Sequence, residues 1–322
     1  MVRMRLLGDP DRALLSKPFL AVGCRLCFPG LKAVVFVTGL CDDGCYYCPV
    51  SRERLGRDVF YVNEEPVRSV DEAVVEVARS GARGASITGG DPLVVPHRTL
   101  EIIRALKEAF GRGFHIHLYT SGRYATPSML RALERAGLDE IRFHPTIPRL
   151  VERVGLARRL TSMSVGVEIP VAPGLVEWAK RIIAEADRLG AEFINLNEME
   201  FVEPNAPALL ARGLRESRRR PFTVEGALEA AVEIVEWARK NVSVPVHFCP
   251  ATFKDAIQTR NRLRRLARLD ARWCEEPTSQ GTLRWAESEG ACIHPREARP
   301  GYTLVEAYPT RRRKPVVQAR QL

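Results

Sequence analysis

The chain holds 322 residues, 45% of them hydrophobic, 27% charged and 7% aromatic, enough for one large or two modest domains. Basic residues exceed acidic ones by ten, and only seven of the 49 are lysine. This composition excludes a disordered tail protein, a collagen-like repeat and a small disulfide scaffold, and no run of about 18 apolar residues offers a membrane span.

The first ten residues carry arginines but no apolar stretch before a small-residue cleavage site, so no signal peptide is expected and the protein is expected to be cytoplasmic. Residues 1–31 read as an N-terminal extension carrying the knuckle Cys24-x2-Cys27. From residue 32 short β-rich runs alternate with helical ones. Strands are expected at 32–38, 84–88, 114–120, 140–144, 163–170 and 192–197, with a seventh apolar run at 242–248. Ser69 with Glu72 forms a capping box ahead of a helix over 73–80. Thr126 then Pro127 marks an N-cap and first helical position, with the stop at Gly137. Further helices follow between Gly174 and Gly190 and over 224–241. Six such units predict an α/β protein, a partial (βα)6 parallel barrel spanning 32–250, with the extensions packed on it. Residues 251–322 begin with a basic helix (252–272) and end in β-prone runs at 282–286 and 302–307.

Three stretches account for more than the whole basic excess. Arg212 to Arg220 holds five arginines against Glu216, Arg260 to Arg272 holds six against Asp270, and the tail from Arg311 holds four with Lys314 and no acid. Such clusters suit a phosphate-rich partner such as tRNA. A solvated arginine-rich surface would read the same way, and no interleaved aromatics supply a base-stacking platform.

Strand parity separates two faces. His115, His117 and Tyr119 oppose Ile116 and Leu118, and Arg142 and His144 oppose Ile141 and Phe143. Ser164, Gly166 and Glu168 oppose Val165, Val167 and Ile169. Asn195 and Asn197 oppose Ile194 and Leu196, and Ser86 and Thr88 oppose Ala85 and Ile87. The apolar side is expected under the helices and the polar side around a wet lumen. Thr88, Thr120, Ser121, His144, Glu168, Asn197 and Glu198 then fall at the carboxyl ends of strands, where parallel barrels place their sites.

Directly after the first strand stands Cys41-Asp-Asp-Gly-Cys45-Tyr-Tyr-Cys48. Three thiolates at this spacing can hold one corner of a cubane iron–sulfur cluster and leave one iron open. A zinc loop or free thiols would also use cysteines, but structural zinc favours paired C-x2-C knuckles with four ligands. Cys24, Cys27 and Cys249, with Cys274 or Cys292, could complete a second four-thiolate site, an auxiliary [4Fe–4S] cluster or zinc. Buried free thiols are the alternative.

The triplet Cys41-x3-Cys45-x2-Cys48, with Tyr47 before the last cysteine, resembles the signature of the radical S-adenosylmethionine (radical SAM) superfamily. Thr88-Gly89-Gly90-Asp91-Pro92 resembles that superfamily's Gly-Gly-Glu motif, with aspartate in place of glutamate. Gly23-Cys24-Arg25-Leu26-Cys27, Asn195-Leu196-Asn197-Glu198 and His247-Phe248-Cys249-Pro250 are similar to an archaeal-type group related to pyruvate formate-lyase activating enzymes. The resemblance implies a [4Fe–4S] cluster on Cys41, Cys45 and Cys48 that cleaves S-adenosylmethionine reductively, yielding a 5′-deoxyadenosyl radical that abstracts hydrogen. It implies cofactor contacts from Tyr47, Gly89, Gly90, Asp91, Pro92, Thr120, Ser121, Glu168 and Asn197, and a one-electron donor of ferredoxin or flavodoxin type. The target stays open between tRNA or a cofactor precursor, slightly favoured by the arginines, and a partner protein given a glycyl radical. A non-catalytic metal-binding module that docks nucleic acid is the competing reading.

Overall fold

The computed structural model describes residues 7–9, 13–313, 315–316 and 320–321; Lys314 of the basic tail and the first six residues lie outside the described set. In chain order its elements are β1 (Leu7–Asp9), β2 (Ala13–Leu15), α1 (Val22–Cys27), β3 (Lys32–Phe36), β4 (Tyr61–Val62), β5 (Glu65–Pro66) and α2 (Val70–Arg79). Then come β6 (Gly84–Thr88), α3 (Pro96–Phe110), β7 (His115–Thr120), α4 (Pro127–Ala136), β8 (Glu140–Phe143), α5 (Glu152–Leu160) and β9 (Ser164–Val171). They are followed by α6 (Val176–Arg188), β10 (Phe193–Glu198), α7 (Ala206–Leu210), α8 (Ala227–Asn241) and β11 (Val246–Cys249).

Strands β3, β6, β7, β8, β9, β10 and β11 run parallel in that spatial order. Alternating helices cover one face, as the βαβ pattern requires. The expected six-stranded array therefore gains a seventh parallel strand. It starts at Val246 rather than 242 because Asp187 holds the preceding backbone in a loop, accepting from Ser243 N (3.0 Å) and Val244 N (2.7 Å). The sheet does not close. Antiparallel β2 and β1 extend it beyond β11, and the β4–β5 hairpin extends it beyond β3, turning at Asn63 with φ +55°. The core lies between sheet and helices, with Val35, Ile87, Leu118, Ile141, Val167 and Leu196 fully buried on the outward parity.

Local signals operate as the sequence suggests. Ser69 Oγ accepts from Glu72 N (3.2 Å) while Glu72 returns a bond to Arg68 N (3.0 Å). Thr126 caps α4 through Met129 N, and Gly137 ends it in the left-handed region at φ +103°. No helix among the described residues is long and apolar enough to cross a membrane.

The C-terminal extension opens with a helix running through Ala251–Phe253, a π-helical stretch Lys254–Thr259 and Arg260–Asp270. A small antiparallel sheet then pairs Leu283–Ser288 with Glu276–Pro277, Ala291–Ile293 and Thr303–Ala307. Several of its arginines are bonded to the rest of the protein. Arg262 forks onto Glu64 (2.8 and 2.6 Å), and Arg265 donates to Ser80 O (2.9 Å). Asp270 accepts from Arg79 (2.9 and 2.8 Å) and Arg313 (2.7 Å). Buried Glu275 takes Arg272 and Arg313, and fully buried Glu76 takes Arg79 and Arg311. Arg262, Arg272, Arg311 and Arg313 of the two basic clusters are thus held in ion pairs, and those to Glu64 and Glu76, with Arg79 to Asp270, tie the extension to the β4–β5 hairpin and α2. Asp270→Ala, which takes one carboxylate partner from Arg79 and from Arg313 while Glu76 and Glu275 keep theirs, is expected to cost roughly 1–3 kcal/mol in denaturant unfolding and to expose the last helix to proteolysis first.

Candidate active site

At the carboxyl ends of the parallel strands lies a cavity of about 480 Å³. Cys41, Cys45 and Cys48 line it together with Glu168, Asn197 and Lys254. The cysteine loop is held in shape from several directions. Gly44 takes φ +59°, and Cys48 N donates to Cys45 O (3.0 Å). Asp43 accepts from Arg123 (2.8 Å) and Thr146 Oγ1 (2.7 Å), anchoring the loop to segments after β7 and β8. Asn205 Nδ2 donates to Tyr47 O (3.0 Å).

The Gly89-Gly90 turn is where the loop's base rests. Gly90 N donates to Thr38 O (2.7 Å) and Asp91 N to Leu40 O (2.9 Å). A Cβ on Gly90 would sit 2.2 Å from Leu40 O and 2.9 Å from the Cβ of Cys41, and one on Gly89 would sit 2.3 Å from Thr38 O. Glycine is therefore required by backbone-to-backbone approach.

Asp91, expected to touch cofactor, spends its carboxylate inside the protein. It accepts from Leu93 N (2.9 Å), Thr120 Oγ1 (3.0 Å), Ser121 N (3.0 Å) and Ser121 Oγ (2.8 Å), and is 1% exposed. It is thus the fastener between the Gly-Gly turn and the end of β7, where Thr120 and Ser121 line the cavity. Burial pushes its carboxyl upward against the pull of these donors. Asp91→Ala strands four donors and is expected to cost about 2–4 kcal/mol in urea unfolding, with Asp91→Asn recovering part.

Below the cavity the inward polar parity builds one hydrogen-bonded layer. Glu168 accepts from Arg142 Nη1 (2.9 Å), Asn195 Nδ2 (3.0 Å) and Asn197 Nδ2 (2.6 Å). Burial opposes the charged form, but Arg142 and the two amides outweigh it and hold Glu168 below the usual carboxylate range. Arg142 Nε meets Glu140 at 2.5 Å, and His115 stands 3.4 Å from Glu140. Burial pushes Glu140 up, yet Arg142 and His115 bring it down to about 2. His144 Nδ1 lies 2.8 Å from the Glu168 carbonyl, which can only accept, so Nδ1 carries the proton. Its Nε2 then accepts from Tyr47 OH at 2.9 Å, pinning the aromatic ring beside the cysteines. Burial lowers the pKa of His144, keeping it neutral for that role. Helix α1 plugs the amino end of the lumen, where Gly23 N donates to Glu140 (3.2 Å) and a Cβ on Gly23 would lie 2.4 Å from His117.

Tyr47, Gly89, Gly90, Asp91, Thr120, Ser121, Glu168 and Asn197 all line the one cavity; Pro92 is buried behind the turn. Sequence reasoning passed over Asp43, which sits inside the cysteine motif itself, and Lys254, which follows the seventh strand. The four-cysteine site does not assemble: Cys274 pairs with Cys292 in a disulfide inside the C-terminal sheet, while Cys24, Cys27 and Cys249 remain free. The expectation that these late cysteines serve a metal is corrected accordingly.

Cys41, Cys45 and Cys48 all line this cavity, a donor set that suits a cubane iron–sulfur cluster with one iron left open. Residues 35–149 match the family model of the radical SAM superfamily. Over 272 residues, 81% of this chain and 71% of the relative, the sequence is 36% identical to a Methanocaldococcus jannaschii protein named as a candidate glycyl-radical enzyme activating enzyme. Over 121 residues, 37% of this chain and 30% of the relative, it is 34% identical to the PqqA peptide cyclase of Ruegeria pomeroyi. Among solved structures, Streptococcus suis SuiB bound to its precursor peptide SuiA superposes with a TM-score of 0.50 at 10% identity, over 68% of this chain; the chain spans about half of SuiB, 48%. On its cysteine loop, its barrel and this relationship, the chain belongs to the radical SAM superfamily.

Proposed function

We propose that this protein is a radical SAM enzyme that abstracts hydrogen from a polypeptide. The observation that carries the proposal is the shared cavity, lined by three thiols, the Gly-Gly turn, Glu168, Asn197 and Lys254. A [4Fe–4S] cluster on Cys41, Cys45 and Cys48, supplied with one electron by a reductant, would cleave S-adenosylmethionine bound there. The chain's own residues bind and orient. The backbone at Gly89–Gly90 and the hydroxyls of Thr120 and Ser121 are set for the methionine and ribose portions, and Glu168 and Asn197 bound the far side. Tyr47, fixed by His144, excludes water from the cysteine wall.

Two features support a polypeptide over tRNA. The relatives at 36% and 34% identity carry names of enzymes acting on proteins or peptides. Part of the arginine excess that favoured RNA is engaged, since Arg262, Arg311 and Arg313 pair with Glu64, Glu76, Asp270 and Glu275. The test is deuterium transfer. Anaerobically reconstituted enzyme with dithionite and S-adenosylmethionine is given perdeuterated protein or perdeuterated RNA from its native host. Deuterated 5′-deoxyadenosine from the protein fraction is expected. Deuterium arriving only from RNA overturns the polypeptide reading, and no 5′-deoxyadenosine in any arm overturns the enzyme reading in favour of a metal-binding module.

A further inference from the structure

Between β10 and α8 the chain leaves the barrel for residues 199–226, an excursion that carries α7 and the basic cluster Arg212 to Arg220. It is built onto the edge of the cavity. Met199 and Glu200 line the cavity. Val224 N donates to Met199 O (3.0 Å), and Phe201 N to Phe222 O (2.8 Å). Asn205 Nδ2 donates to Glu200 O (2.9 Å) as well as to Tyr47 O. Tyr46 and Tyr47 of the cysteine loop pack on a small core of Met199, Leu209 and Val224. Arg52, just past the cysteines, pairs with Glu203 (3.0 Å), and Leu55 on the same loop lines the cavity while 43% exposed. The two segments are thus joined where the cavity meets solvent.

Two features of this rim are left without use inside the chain. Arg212, Arg215, Arg218 and Arg219 are exposed, against Glu216 and Glu225 in the same stretch. Arg220 stands apart from that surplus, since it forks onto buried Glu198 (2.9 and 3.0 Å). Arg215, Arg218 and Arg219 form no ion pair among the described residues. The independent feature is Phe222. Its ring is 63% exposed and its backbone sits at φ +64°, a left-handed conformation that a bulky side chain disfavours. Two bonds hold it there: its N–H donates to Glu216 (2.9 Å), and its carbonyl accepts from Phe201 N. Leu210, at the end of α7, is 57% exposed. A strained backbone that presents an uncovered aromatic ring is unfavourable on both counts, which marks a position kept for what it contacts outside the chain.

We propose that this rim is the docking surface for the polypeptide substrate, and that it selects an acidic segment carrying an apolar side chain. Carboxylates of the partner meet Arg215, Arg218 and Arg219, whose planar forks match them, and its apolar side chain covers Phe222. The proposal rests on the polypeptide reading above and deepens it by naming the chemistry of the substrate. Positive charge at the cavity's edge would steer the encounter and fix the orientation of the incoming chain. RNA also answers to arginine but needs a run of aromatic faces for its bases. Here Phe201 packs on the small core and Tyr46 is capped by the Arg212 guanidinium at 4.1 Å, so Phe222 offers a single ring.

Fluorescence anisotropy tests it, with the full chain reconstituted anaerobically. The labelled probes are a short glutamate–leucine peptide, the same peptide with serine for leucine, its lysine–leucine counterpart and a single-stranded RNA of equal length. The glutamate–leucine peptide is expected to bind most tightly and to weaken as salt rises. Arg215→Glu/Arg218→Glu/Arg219→Glu should weaken it by at least about tenfold. Arg104→Glu/Arg131→Glu/Arg135→Glu, which reverses equal charge at exposed positions of α3 and α4, should leave it bound. Phe222→Gly should erase the preference for leucine over serine without lowering the melting temperature, because glycine accepts the left-handed backbone. Equal binding of the leucine and serine peptides by wild type, or equal loss in both arginine triples, overturns the proposal. RNA bound more tightly than the peptide and released by the Arg215 triple overturns it in favour of nucleic acid. The assay uses neither S-adenosylmethionine nor reductant, so its failure is distinct from failure of the polypeptide reading, which deuterium transfer decides.

Discussion

Cys45→Ala is expected to lower 5′-deoxyadenosine release by at least about 1,000-fold, which corresponds to ~4 kcal/mol of lost transition-state stabilisation. Cys45 is the middle thiol of the loop, joined to Cys48 by the turn hydrogen bond and held beside the Gly89–Gly90 turn through Leu40 and Thr38. Alanine leaves Gly44, Tyr47 and the backbone bonds intact, so the fold should survive while the donor set falls from three to two. Iron content and the visible absorption of reconstituted protein should fall with activity, separating lost loading from lost chemistry. Cys292→Ala is the matched control. It removes a thiol of the C-terminal disulfide, which has no part in the cavity, and should keep full cleavage activity. Equal activity in Cys45→Ala and wild type would remove the basis for placing the chemistry at this loop.

What was readable in the chain was what depends on neighbours in sequence. The cysteine spacing, the capping box at Ser69, the cap at Thr126 and the inward parity of His117, Arg142, Glu168 and Asn195 follow from local chemistry and strand period alone. The role of Asp91 was not readable, because its partners Thr120 and Ser121 become neighbours only when β6 and β7 pair in register. The arginine clusters misled for the same reason. Composition shows an excess of positive charge along residues 260–272 but cannot show that Glu64 and Ser80 come to meet it. Cysteine spacing likewise gave no sign that Cys274 would find Cys292 across the small sheet rather than join Cys24. The edge strands, two or three residues each, were too short to signal themselves, and the seventh run, expected from 242, starts only after Pro245, which has no backbone donor for a ladder.

Arg142→Met should be the most destabilising single change in the lumen. Arg142 is 2% exposed and bridges Glu140 on its own strand to Glu168 on the next, while Nη1 also reaches Tyr119 OH (3.3 Å). Removing one partner of a buried ion network leaves uncompensated charge, typically 3–5 kcal/mol, and here two carboxylates lose their shared cation at once. For a chain of 322 residues that is roughly a 4–7 °C fall in melting temperature. Arg142→Lys should rescue little, since a single ammonium cannot hold both carboxylates and the tyrosine. The pH dependence identifies the cause. The carboxyl of Glu140, held at about 2, lies below its unfolded value of about 4.3. Its contribution is therefore complete above the unfolded value and is lost as pH falls from about 4.3 toward 2. Without Arg142 the carboxyl rises, so the variant should lose this acid-dependent term and show a shallower stability slope between those pH values than wild type. A variant within about 1 kcal/mol of wild type at neutral pH, with an unchanged acid slope, would show that Asn195, Asn197 and His115 carry the carboxylates without it.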